Sequence, residues 1–82
     1  MITVAKLYKS RRNWYWQLLD KRNGFEVGSC KTGGYQNRHQ MVSNLKRVTG
    51  VKYVPDLGYG TKEYTFEFER DGDGAVIHQE GQ

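Results

Sequence analysis

The sequence is poor in the residues that staple or interrupt small folds: 82 residues hold one cysteine, Cys30, and one proline, Pro55. A lone cysteine excludes an intramolecular disulfide framework and any zinc site built from several cysteines. No apolar run approaches the ~20 residues a helix needs to cross a bilayer, which excludes a helical membrane span. The stretch after Met1 lacks the apolar core of a secretory signal, so the expectation is a cytoplasmic chain with no membrane association. Hydrophobic residues make up only 37% of the chain. A domain this short buries only about 60% of the surface its unfolded chain exposes, so its stability is marginal without a dense core or self-association. Repeats and low-complexity tracts are also missing. The reading is one domain over residues 1–79, with a frayed tail at 80–82.

What the chain does have is aromatic bulk and an uneven charge. Two Trp, three Phe and six Tyr supply large buried area per residue. The net charge of +4 hides a division: residues 1–52 carry eleven Lys and Arg against Asp20 and Glu26, while residues 53–82 carry Lys62 and Arg70 against seven acids. A basic half invites phosphate, because each phosphate neutralised releases counterions. An acidic half argues against nucleic acid wrapped all round, and suits a basic partner or a second copy.

Periodicity then divides the chain. Ile2 to Lys9 reads as a strand, and Lys9 to Asn13 as a polar connector. Trp14 to Asp20 alternates, with Trp14, Trp16 and Leu18 on one face and Tyr15, Gln17 and Leu19 on the other. Asn23-Gly24 predicts a type I′ hairpin turn, and Phe25 to Cys30 the return strand, with Phe25 and Val27 on the Trp face. Asn37 as N-cap with Gln40 three residues on, Met41, Leu45 and Val48 as a stripe flanked by Val42, and Gly50 as C′ predict an amphipathic helix. Val51 to Pro55 reads as a brief strand, Leu57 to Gly60 as a loop. Thr61 to Arg70 is a strand with Tyr64, Phe66 and Phe68 on one side, and a turn at 71–74 leads to a last strand, Ala75 to Gln79. The predicted fold is α+β: an antiparallel β-sheet in β-β-β-α-β-β-β order with a single amphipathic helix on one face. It divides into a basic βββα part, 1–50, and an acidic β-hairpin part, 51–79.

Trp14-x-Trp16-x-Leu18, Asn23-Gly24, Val27, Gly34-Tyr35, a short capped helix and Asn44-Leu45 before Val48 together resemble the YegP-like small ββα domains, over residues 8–49. The resemblance implies a unit paired in tandem or between chains, hence a homodimer, and it transfers no active site. Residues 51–79 depart from it, with an extra strand and an acidic hairpin where a second unit would stand. The same middle third is similar to the three-stranded DNA-binding domains of AP2 and phage-integrase type. That likeness implies an outer sheet face laid on DNA, showing Tyr15, Gln17 and Glu26, with Arg11, Arg12, Lys21 and Arg22 on the turns. Two departures stand against it. The central strand has no Arg or Lys at alternate positions, and the family's Gly-Phe-x-Thr step reads Gly34-Tyr35-Gln36-Asn37.

Other residue groups carry less. Trp14 and Trp16 suit base stacking, but their shared face with Leu18, opposite the helix stripe, favours the core. Tyr15 and Tyr35 are better surface candidates. Tyr64, Phe66 and Phe68 either join the core or form a patch for self-association. Asp71-x-Asp73 opens like a calcium loop, yet Ala75 stands at the third ligand position, so a hairpin turn is expected. His39 and His78 fall in different elements, Cys30 has no partner triad, and Gly33-Gly34 lacks the Lys-Ser/Thr of a phosphate loop. The expectation is a protein without catalysis, metal or cofactor.

Its expected role is a protein-interaction module that pairs with itself or a protein partner, of the compact kind common among phage and mobile-element proteins that bind a host or defence component. The alternative is a small nucleic-acid-binding domain. Contacts to nucleic acid or partner would come from Arg11, Arg12, Tyr15, Gln17, Lys21, Arg22, Lys31, Tyr35, Arg38 and Arg47.

Overall fold

The switch from two-residue to 3.6-residue periodicity is followed closely by the computed structural model, which describes residues 1–56 and 60–79. Its elements are β1 (Ile2–Ser10), β2 (Asn13–Asp20), β3 (Glu26–Ser29), α1 (Arg38–Thr49), β4 (Glu63–Arg70) and β5 (Val76–Gln79). The strands form one antiparallel sheet in the order β3-β2-β1-β4-β5. The class is therefore α+β, with the helix on one face. The first strand becomes the central one because β4 pairs along its free side.

Register fixes what each face carries. Leu7 lies opposite both Trp16 and Tyr64, Ala5 opposite Leu18 and Phe66, and Thr3 opposite Asp20 and Phe68. These residues face the helix, where Met41 and Leu45 complete the core together with Val51 beyond the helix end. Each large apolar side chain so buried contributes about 1.5–3 kcal/mol. Tyr64, Phe66 and Phe68 are only 5%, 3% and 2% exposed. They belong to this core, and the self-association patch considered for them has no surface left to offer.

The helix is capped as its sequence predicts. Asn37 Oδ1 accepts from the Gln40 N–H at 2.9 Å, and Gly50, at φ 82, donates to Lys46 O at 2.8 Å. Trp16 Nε1 donates to Asn44 Oδ1 at 2.8 Å, which ties the helix to β2. The buried stripe is Met41, Leu45 and Thr49 rather than one ending at Val48, which is 59% exposed. Thr49 can hold the inner position because its hydroxyl donates to Leu45 O at 2.7 Å and accepts from Val51 N at 3.2 Å. A satisfied hydroxyl costs little to bury.

Three further expectations are corrected. The β2–β3 connection is not a type I′ turn, since Asn23 lacks the positive φ that turn requires and Gly24 alone has it, at φ 76. Instead Asp20 accepts from Gly24 N at 2.7 Å, and Asn23 Oδ1 accepts from Phe25 N at 2.9 Å. Gly28, not Val27, lies opposite Leu18, so Val27 falls off the Trp face, and Phe25 stands ahead of the short β3; they are 46% and 71% exposed. Finally, Val51 to Pro55 forms no strand, so the sheet has five strands and not six. The Gln79 side chain replaces the ladder there. Its Oε1 accepts from Lys52 N at 3.1 Å and Tyr53 N at 3.3 Å, and its Nε2 donates to Tyr53 O. Part of the expected 57–60 loop, residues 57–59, and the expected tail at 80–82 lie outside the described residues.

Both sheet edges are blunt. β3 and β5 have four residues each, and each is joined to its neighbour through a register shift. Short, bulged edges resist strand addition by another chain.

Candidate nucleic-acid interface

The cations singled out in the sequence do not form one surface. Arg11 and Arg12 make the β1–β2 turn, closed by the Ser10–Asn13 pair, while Lys21 and Arg22 lie in the β2–β3 turn at the other end of β2. Seven residue steps of strand separate the two turns, about 23 Å. Lys21 is also engaged with Glu67 at 2.9 Å, and Arg22 with Asp20 at 3.6 Å. Arg47 lies in the last turn of α1, again away from Arg11. Arg38 begins the helix nearer the first end, but its guanidinium is committed: it donates to Asp56 Oδ1 at 2.9 Å and to the Tyr64 hydroxyl at 3.1 Å. The Tyr64 hydrogen bond chiefly raises the Arg38 pKa, burial opposes it and Asp56 adds to it, so the group stays charged.

A different cluster is assembled at the Arg11 end. Lys9 N donates to Lys62 O at 2.8 Å, which brings the start of β4 beside the turn. On the other flank Asn13 Nδ2 donates to Gly33 O at 2.8 Å, which holds the Lys31–Tyr35 segment alongside. Lys9, Arg11, Arg12, Lys31 and Lys62 thus share one pole of the sheet. None of them makes an ion pair among the described residues. Glu63, next to Lys62 in the chain, is engaged with Lys6 at 3.1 Å, and Asp56 with Arg38 at 2.9 Å. The positive N-terminal end of α1 points the same way, since Tyr35 lies at this pole and the helix begins three residues later.

Aromatic rings accompany these cations. Trp14 and Tyr35 form an isolated antiparallel bridge, with Trp14 N to Tyr35 O at 2.7 Å and Tyr35 N to Trp14 O at 2.8 Å. Lys9 pairs with Trp14 on the other side, and its Nζ stands 6.0 Å from that ring's centroid. Lys31 Nζ stands 4.7 Å from the centroid of Tyr35. Gly34 makes the bridge possible. At φ 67 it carries no Cβ, and one built there would stand 2.7 Å from Trp14 O and 2.7 Å from Tyr15 Cε1. Both rings are partly exposed and border the core, in contrast to Trp16 at 3%.

No family model, curated protein or solved structure matches this chain.

The outer face of the sheet is a poor place for phosphate. Tyr15 stacks on Tyr8 with centroids 5.4 Å apart, and Gln17 Nε2 donates to Glu26 Oε1 at 3.1 Å. Across that face Glu26, Glu63, Glu67 and Glu69 outnumber Lys6 and Lys21, both of which are already ion-paired. A duplex laid there, as in the integrase-type arrangement, would set four carboxylates against its backbone. The Asp71-x-Asp73 motif is used locally: Asp71 Oδ1 accepts from the N–H groups of Asp73 and Ala75, both at 2.9 Å. Among the described residues no three His, Cys, Asp or Glu side chains cluster as metal ligands.

Sequence reasoning missed Lys9 and Lys62. A two-residue turn at Arg11-Arg12 would have placed Lys9 opposite Trp14. Lys62 has no local signal, because it arrives through the pairing of β1 with β4, more than fifty positions away in the chain.

Proposed function

We propose that this chain is a non-catalytic nucleic-acid-binding module that docks through the pole formed by the β1–β2 turn. One observation carries the reading: Lys9, Arg11, Arg12, Lys31 and Lys62 converge there without acidic partners, while Glu63 and Glu67 are engaged on the sheet's outer face and Asp56 with Arg38. Uncompensated cations gathered at one end suit a polyanion with regularly spaced charges, because each phosphate contact releases a counterion. Side chains on turns position the backbone and do not read bases, so the expected binding is tolerant of sequence.

The test is the salt dependence of binding to a labelled oligonucleotide, followed by fluorescence anisotropy. Neutralising five phosphates gives a slope of log K against log salt of about −3.5 on a single strand and −4.5 on a duplex. Replacing Lys9, Arg11, Arg12 and Lys62 together by Gln flattens that slope, while Lys21→Gln with Arg22→Gln at the far turn leaves it unchanged. Unchanged anisotropy at low salt with both single strand and duplex rejects the reading.

A further inference from the structure

We infer that the nucleic acid taken by this pole is single-stranded, with bases stacking on Trp14 and Tyr35 while Lys9 and Lys31 swing to the flanking phosphates. The inference rests on the reading of the pole as a nucleic-acid surface and adds which kind of strand it takes.

Lys9, Trp14 and Tyr35 are consecutive partners across three antiparallel segments, and Lys31 covers the last ring. Partners directly opposite in an antiparallel pair point to the same side, so the two rings are neighbours in one row with a cation at each end. That row is built to be rigid in its aromatics and mobile in its cations. Two backbone hydrogen bonds and the close approach at Gly34 fix Trp14 beside Tyr35, whereas each lysine reaches its ring on four flexible carbons. A cation over an exposed ring is a weak contact, weaker than a base stacked on the same face. Exchange of lysine for base therefore yields a stacked base and a phosphate contact from the same pair of residues.

Duplex DNA or RNA uses this row badly. Its base faces are stacked within the helix and unavailable to Trp14 or Tyr35. Nor does the pole project far enough to enter a groove. β1 extends only two residues past its last pairing with β4, and the turn is flanked by Gly33 on one side and Lys62 on the other. An unpaired strand crossing the end of the sheet meets the rings and then Arg11 and Arg12.

Three labelled or competing probes of equal phosphate count decide the matter at one ionic strength: oligothymidine of about 12 nucleotides, a duplex, and inorganic polyphosphate. The expected result is oligothymidine bound at least about tenfold tighter than either of the others, with quenching of tryptophan emission. Tyr35→Leu lowers oligothymidine affinity by about tenfold and leaves polyphosphate affinity unchanged. Because that variant can disturb the bridge, Lys9→Gln with Lys31→Gln gives an independent readout. It flattens the single-strand salt slope by about 1.4 while emission is still quenched at saturation. Duplex or polyphosphate binding as tight as oligothymidine overturns the single-strand inference and leaves the nucleic-acid reading standing. Binding of none of the three removes both.

Discussion

Replacing Arg11 with glycine separates what the β1–β2 turn does for stability from what it does for binding. Arg11 sits at φ 59, the only residue other than glycine with positive φ among those described, as the first central residue of the turn. For a residue with a Cβ that region costs about 1–2 kcal/mol. Two-residue hairpins with positive φ at this position select glycine for the same reason. Glycine's freer unfolded chain offsets about 0.5–1 kcal/mol of the gain. The side chain makes no hydrogen bond or ion pair among the described residues, so nothing else is lost. The net expectation is a stabilisation of about 0.5–1 kcal/mol. In a domain of this size that raises Tm by roughly 2–8 °C, read by circular dichroism. Binding moves the other way. One cation fewer flattens the single-strand salt slope by about 0.7 and weakens binding at low salt. A variant more stable yet weaker in binding is the signature of a strained residue held for its charge. A fall in Tm refutes the strain, and an unchanged slope refutes the phosphate contact.

Other substitutions test the frame that holds the site. Gly34→Ala sets a methyl group 2.7 Å from Trp14 O at a left-handed φ, so unfolding in urea should show a loss of about 2–4 kcal/mol. Gln79→Leu strips the partners from Lys52 N, Tyr53 N and Tyr53 O, with an expected loss of about 2–4 kcal/mol in the same assay. Helix register is tested by a pair: Leu45→Ala costs about 2–5 kcal/mol, while Val48→Lys, at an exposed position, stays within about 0.5 kcal/mol of the parent.

What was legible in the sequence was local. Alternation in β2 and β4, the Asn37 cap and the Gly50 stop depend on neighbours within a few residues, and the fold honours each of them. Errors arose where a distant group supplied what a local rule assumed. The helix stripe ends on Thr49 instead of Val48 because a backbone carbonyl satisfies the threonine hydroxyl and Val51 covers the adjoining core. Val51 to Pro55 is held by Gln79, a side chain more than twenty positions away, so strand-like composition there needs no ladder. Phe25 and Val27 are apolar and alternate, yet Gly28 takes the place opposite Leu18 and Phe25 lies ahead of the short edge strand, so both are exposed. The candidate site was half legible. Arg11 and Arg12 stand out as a basic turn, but grouping them with Lys21 and Arg22 treats two opposite ends of one hairpin as a single patch.

The charge division of the sequence becomes a different division in space, and β1 is the reason. Because β4 pairs with β1, the acidic half of the chain lies directly against the basic half along the length of the sheet. Glu63 and Glu67 are consumed on Lys6 and Lys21, and the outer face ends with more carboxylates than cations. That removes the broad sheet face as a phosphate surface, though it is the surface that strand alternation alone would nominate. Nine cations are left without an ion pair among the described residues: Lys9, Arg11, Arg12, Lys31 and Lys62 stand at the β1–β2 turn and its two flanks, while Lys46, Arg47, Lys52 and Arg70 lie outside that group. A net charge of +4 spread evenly would attract a polyanion weakly from any direction. Five unpaired cations gathered at one end, beside two rings held in a row and the positive end of the helix, would under the proposed reading favour approach of a strand from that direction. Neutralising carboxylates of the outer face tests that separation. Glu67→Gln with Glu69→Gln frees Lys21 and adds positive charge to the broad face away from Lys62. If binding is end-on, single-strand affinity rises only through the long-range field, a gain that vanishes above about 0.15 M salt, where the screening length is near 8 Å. A gain that persists at higher salt, with a steeper slope, would show that the strand lies across the sheet and not at its end.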